Sequence, residues 1–176
     1  MRGRGRFSGS AFLCTLNGMR PAVLLLMLLV GGPPQETAHL KLATSVTPET
    51  AKADAKVSLA VDVTPKPGIH VYAPGQDGYI AISVALDPQS AFAKTGNAKY
   101  PDPEKIRIEA VNETQLVYSK PFRITQDITL AGARELQNLG SAPLVVKGTI
   151  RYQACTDKIC YLPVKVPVTW TIKRPL

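Results

Sequence analysis

Two cysteines, Cys155 and Cys160, are separated by four residues within the stretch YQACTDKICYLP at 152–163. Such a pair can exchange disulfides with another protein, form a static cross-link, or help to hold a metal. A ring this short removes little entropy from the unfolded chain, about 2 kcal/mol against more than about 4 for a loop of a hundred residues. A staple meant for stability is better placed across a longer loop. A reactive pair is better placed at an exposed tip, where a partner's thiolate can approach a sulfur in line. Spacing alone leaves exchange and cross-strand stapling both open. Zinc is the poorer third reading, because a structural site needs four ligands. No second cysteine pair or His-x-x-x-His is near.

The flanking segments must position the pair, and both alternate. Leu144, Val146, Ile150, Tyr152 and Ala154 share one face, with Lys147, Thr149, Arg151 and Gln153 on the other. After the pair, Val164, Val166, Val168, Trp170 and Ile172 oppose Lys165, Thr169, Thr171 and Lys173. Period-two alternation is the signature of half-buried strands. The two segments therefore form a β-hairpin with the cysteines on its stems and Thr156-Asp157-Lys158-Ile159 as the loop. Opposed residues in a non-hydrogen-bonded antiparallel pair have Cα atoms about 4.5 Å apart, within disulfide reach. Lys158 favours a thiolate and Asp157 opposes one, so their net effect on reactivity has no sign from sequence.

Earlier in the chain, Val57, Leu59, Val61 and Val63 alternate with Ser58, Ala60, Asp62 and Thr64, a clear strand. Residues 39–46, 79–86, 105–111 and 122–130 read as further strands, and 69–73 as a short one ending at Pro74-Gly75. In that short strand His70 and Tyr72 share a face. Pattern alone favours a solvent-facing His70 and an edge aromatic at Tyr72 over a site-lining pair. Residues 89–94 are expected to make one helical turn, 112–119 a loop or irregular edge, and 131–142 a connector that is partly helical at 134–139. About eight short strands with no long amphipathic helix argue for an all-β antiparallel sandwich whose core holds Trp170.

Composition fits one domain plus a leader. The 176 residues are 45% hydrophobic and only 6% aromatic, with fifteen prolines and thirteen glycines, which favours many short strands. Arg2, Arg4, Arg6 and Arg20 precede an apolar run at 22–30 and then Gly31-Gly32-Pro33-Pro34. This is the layout of a secretory signal, placed at 1–37, or of an uncleaved N-terminal anchor. Met19 is a plausible true start, and Cys14, ahead of the apolar run, leaves with the signal. The domain proper is 38–176, and its two remaining cysteines suit an oxidising compartment. The net charge of +8 falls with the leader's arginines, leaving a mildly basic surface with no basic stripe or aromatic platform. That argues against nucleic-acid binding. No Ser-His-Asp pattern, glycine-rich phosphate loop or metal-ligand cluster is visible.

The cysteine stretch, preceded by PGIHVYA at 67–73 and followed by alternating valines, resembles the N-terminal periplasmic domain of the bacterial thiol–disulfide interchange protein DsbD. The resemblance covers roughly 38–172, and the cysteine hairpin is its specific part. It implies an immunoglobulin-like sandwich that exchanges electrons with thioredoxin-fold periplasmic proteins, as a protein-disulfide reductase without metal or organic cofactor. It implies that Cys160 joins the partner in a mixed disulfide and that Cys155 resolves it. It places His70 and Tyr72 beside the cysteines. Asp157 and Lys158 within the cysteine loop, and Tyr161 next to it, are further lining candidates. It makes Glu113, Leu116, Val117 and Tyr118 part of a cap loop that shields the pair. Val117 falls where the family often has a bulky aromatic. No multi-span membrane region or thioredoxin domain follows Leu176, so the implied electron donor is a separate membrane transporter. Two other functions remain open from sequence: a non-catalytic immunoglobulin-like adaptor with a structural disulfide, and metal delivery by the two thiols with His70.

Overall fold

The structure is a computed structural model that describes residues 34–175 apart from 90, 110 and 111. Of the leader expected at 1–37, residues 1–33, with Cys14, lie outside the described residues, while Gln35 and Glu36 are described and pair with β2. The chain runs β1 (Gln35–Glu36), β2 (Leu40–Thr47), β3 (Lys56–Pro65), β4 (His70–Tyr72), β5 (Ser83–Leu86), β6 (Phe92–Lys99), β7 (Glu104–Ile108), β8 (Glu113–Tyr118) and β9 (Phe122–Leu130). A short helix α1 (Ala133–Asn138) follows, then β10 (Leu144–Tyr152), β11 (Ala154–Cys155) and β12 (Val164–Ile172).

Three sheets result: β1-β2-β3-β9-β6, β12-β10-β5 and β11-β4-β8-β7. Every ladder between named strands is antiparallel. The five- and three-stranded sheets face each other because each hides its apolar face against the other. Leu40, Leu42, Leu59, Val61 and Ile124 come from one, and Val146, Ile150, Val166, Val168 and Trp170 from the other, in one buried cluster. Trp170 ties the layers together: its indole N–H donates to the Ala60 carbonyl at 2.8 Å, so its polar atom is satisfied while the ring fills the core. Gly148 lets β5 come close, since a Cβ there would sit 2.7 Å from the Ala85 carbonyl oxygen.

The third sheet carries the cysteines. β10 and β12 pair as the expected hairpin as far as Tyr152↔Val164. The chain then leaves that sheet, and Ala154 and Cys155 pair with Val71 and His70 of β4. The hairpin is therefore not continuous up to the cysteines; its tip is clipped to a neighbouring sheet.

Five strands depart from the sequence reading. β1 and β11 are two residues each, too short for alternation to show. The helical turn expected at 89–94 gives way to the start of β6, an edge strand reading FAKTGNAK with both faces partly exposed. Its pairing to β9, with register shifts, is tertiary; at Gly96 the Gln126 amide donates to the carbonyl at 2.8 Å. The segment expected as a loop or irregular edge at 112–119 holds the regular strand β8, between β4 and β7. Of the run at 79–86, only Ser83–Leu86 is strand.

Candidate functional site

Cys155 and Cys160 face each other across an antiparallel bridge and are joined by a disulfide, with Cα atoms 4.1 Å apart. The Thr156 N–H donates to the Ile159 carbonyl and the Tyr161 N–H to the Ala154 carbonyl, both at 2.8 Å. These bonds flank the cysteines and leave them as a non-hydrogen-bonded pair, the position where antiparallel Cα atoms come closest. Thr156 Oγ1 accepts the N–H groups of Lys158 and Ile159 at 3.2 and 3.1 Å, which closes the turn.

The two sulfurs have unlike surroundings. Cys155 is 1% exposed and packs with Tyr72 and Val117, with Tyr79 and Ile106 against them. Cys160 is exposed, between Ile159 and Leu162, whose apolar side chains are 55% and 85% exposed. A cleft of about 100 Å³ borders the pair, walled by His70, Tyr72, Tyr79, Ile108, Gln115 and the turn itself. Pockets for small organic ligands run to about 300–1,000 Å³, so this one admits a protruding group and not a free metabolite. A larger cleft of about 400 Å³ between Gln35, Leu42 and Pro167 has no ionisable lining.

Tyr72 is the polar centre of the site. Its hydroxyl lies 3.4 Å from Cys160 Sγ and 3.3 Å from Cys155 Sγ. Disulfide sulfurs carry no hydrogen, so the hydroxyl is the donor to either. Burial, then the neighbouring Tyr79 phenol, pushes the Tyr72 pKa up to about 12. Tyr79 stacks on Tyr72 with centroids 4.1 Å apart. The Tyr79 hydroxyl accepts the Gln115 amide at 3.0 Å and donates to Glu113 at 3.4 Å. His70 sits opposite Cys155 in register and is 4% exposed. Burial lowers its pKa, and the Asp157 charge works against that. The solvent-facing His70 and edge Tyr72 favoured by pattern are thus corrected: β4 lies inside its sheet between β11 and β8, and both side chains are buried beside the cysteine turn.

The residues named from sequence divide between two places. Cys155, Cys160, His70, Tyr72, Asp157 and Lys158 gather at the cleft. Tyr161 turns away; its ring meets His39 at 4.4 Å and packs on the main core. Among the cap residues, alternation along β8 decides. Glu113 reaches Tyr79, and Val117 is fully buried beneath Tyr72 and Cys155. Leu116 and Tyr118 point the other way, Tyr118 stacking on Phe122 at 4.1 Å and donating to the Pro101 carbonyl. Sequence reasoning missed Tyr79, Gln115, Ile106 and Ile108. A strand reading of ETQLVY would have put Gln115 on the same face as Val117. No periodic signal marks Tyr79, which lies in the loop before β5.

Residues 40–170 match the family model for the N-terminal part of thiol:disulfide interchange protein DsbD. The chain belongs to this family. It is an immunoglobulin-like thiol–disulfide interchange domain with its cysteine pair closed. Among solved structures it is similar to the N-terminal periplasmic domain of ScsB from Proteus mirabilis, at 11% identity and a TM-score of 0.54, over 80% of this chain and 49% of that one. At that identity the likeness shows the fold, and the chain spans about half of that structure. The GAE domain of GGA2p from Saccharomyces cerevisiae aligns at a TM-score of 0.37 and 11% identity, over 78% of this chain and 91% of that one, too distant to argue from. No curated protein matches. Among the described residues, no three His, Cys, Asp or Glu side chains gather as metal ligands. No described helix is long and apolar enough to cross a membrane.

Proposed function

We propose that this domain is a periplasmic electron carrier that exchanges disulfides with thioredoxin-fold proteins through Cys160. The observation that carries this reading is the asymmetry of a closed pair: one sulfur exposed at a tip, the other 1% exposed behind it. In-line attack on a disulfide needs access to one sulfur and a leaving group on the other. Cys160 offers the access, and Cys155 leaves into a site where the Tyr72 hydroxyl waits.

In the reducing direction, Cys160 thiolate attacks a partner disulfide. A bond forms between Cys160 and one partner sulfur, and the other partner sulfur leaves as a thiolate. Cys155 then loses its proton and attacks Cys160 Sγ. The intramolecular disulfide closes and the second partner thiolate departs. Two electrons move to the partner, and this domain ends oxidised. The same steps run backward when a donor reloads it. The donor is a membrane electron transporter, and export is by the N-terminal leader.

The test is capture. A Cys155→Ser variant incubated with periplasmic extract should hold a thioredoxin-fold protein through Cys160, released by reductant and identified by mass spectrometry. Failure of both single-cysteine variants to capture any such protein removes the reading.

A further inference from the structure

Cys155 poses a proton problem. To close the ring it must give up its thiol proton, yet it is 1% exposed. Water therefore has poor access, and burial in apolar surroundings raises a thiol's pKa above its ordinary value. Resting on the carrier reading above, we propose that His70 is the base that takes the proton from Cys155 during resolution of the mixed disulfide, and returns it when Cys155 leaves in the opposite direction.

The geometry is that of a cross-strand pair. His70 and Cys155 are register partners in β4 and β11, and side chains of such partners stand on the same face with Cβ atoms about 4.5–5.5 Å apart. The imidazole also lines the cleft in which Cys160 lies. Among the described residues it has no hydrogen-bond partner; its ring meets Tyr72 edge-on at 5.9 Å. Its nitrogens are therefore not committed elsewhere. The other ionisable groups in the cleft wall are Tyr72, Tyr79, Asp157 and Lys158, and Glu113 stands behind Tyr79. The Tyr72 phenol is a proton donor, not a base, near neutrality. Asp157 and Lys158 are exposed on the turn. Burial keeps His70 neutral and able to accept near neutral pH.

The step balances as follows. The Cys155 S–H bond breaks and an imidazole N–H forms. The sulfur's electron pair makes the bond to Cys160 Sγ, and the bond from Cys160 to the partner breaks with its pair going to the partner thiolate. The imidazolium then passes its proton to that thiolate or to water at the cleft mouth. No outside oxidant or reductant enters.

The reduced protein and the aromatic disulfide dithiobis-nitrobenzoate give a test without the natural partner. A first burst of coloured thiolate reports capture at Cys160. A second reports attack by Cys155 on the mixed disulfide. A positioned base contributes about 10²-fold or more, so His70→Gln should slow the second burst relative to the first by at least about tenfold. The slowed step should become proportional to hydroxide concentration. His70→Ala, with room for a small base, should regain speed when imidazole is added. His70→Tyr keeps an aromatic ring, guards against a packing defect and should be as slow as His70→Gln. A second burst slowed less than about tenfold in both His70→Gln and His70→Tyr overturns the assignment. Absence of the first burst in the unmodified protein would instead overturn the carrier reading.

Discussion

Removing one oxygen from Tyr72 should raise the pKa of Cys160. The hydroxyl lies 3.4 Å from Cys160 Sγ, and with its own pKa pushed up to about 12 it remains a donor throughout a thiol titration. A hydrogen bond to a charged group contributes about 1.5–3 kcal/mol. At about 1.4 kcal/mol per unit, Tyr72→Phe should raise the thiol pKa by about 1–2 units. The ring stays stacked on Tyr79, so packing is nearly constant. The rate falls less than the thiolate population, because a more basic thiolate is a better nucleophile by a Brønsted slope of about 0.4–0.5. Alkylation at neutral pH should therefore slow by about threefold to tenfold. The assay is iodoacetamide alkylation against pH in a Cys155→Ala background, where Cys160 is the reacting thiol. A midpoint that moves by less than about 0.3 units, or moves down, refutes the idea that this hydroxyl stabilises the thiolate.

Burial predicts unequal thiols: Cys155 in a Cys160→Ser variant should alkylate at least about tenfold slower than Cys160 in a Cys155→Ser variant, read by mass spectrometry. Trp170→Phe leaves the Ala60 carbonyl without its indole donor and a gap between the layers; urea unfolding should show a loss of about 2–4 kcal/mol. Gly148→Ala drives a methyl to 2.7 Å from the Ala85 carbonyl oxygen and 3.2 Å from the Trp170 ring, which should cost about 1–3 kcal/mol by the same measurement. His70 has a lowered folded-state pKa, so below its ordinary value of about 6.5 the unfolded chain binds the extra proton. Its neutrality thus supports stability above about pH 6.5, and that support is lost as pH falls toward the folded value. The urea midpoint should fall less in His70→Gln than in the unmodified protein between about pH 7 and pH 5.

The parts of the fold that could be read from sequence are those where one face is buried and the other wet. β3, β9, β10 and β12 alternate because each turns one face to the single core. β6 was hidden because an edge strand with Lys94, Gly96 and Lys99 has no buried face to advertise. β8 was hidden because its two faces serve different clusters: Gln115 and Val117 belong to the cysteine site, Leu116 and Tyr118 to the main core. The cysteine pair was legible because a four-residue turn sets its distance locally, although the β10–β12 ladder ends at Tyr152 and Val164. The lining was only half legible. Tyr79 and Gln115 arrive from a loop and from a strand distant in sequence, and only the third sheet brings them to Tyr72. Tyr161, next to Cys160 in the chain, turns away because its backbone N–H is used in pairing with Ala154 while its ring packs on His39. Adjacency in sequence was a poorer guide than strand parity.

The reduction potential of the Cys155–Cys160 bond tests most directly whether it exists to be exchanged. Equilibrating the protein in graded glutathione or dithiothreitol buffers and counting free thiols gives the value. An exchanging pair should settle between about −120 and −270 mV, among the known thiol–disulfide exchangers. A value below about −300 mV would mark a bond that cellular thiols leave closed, and would contradict the account.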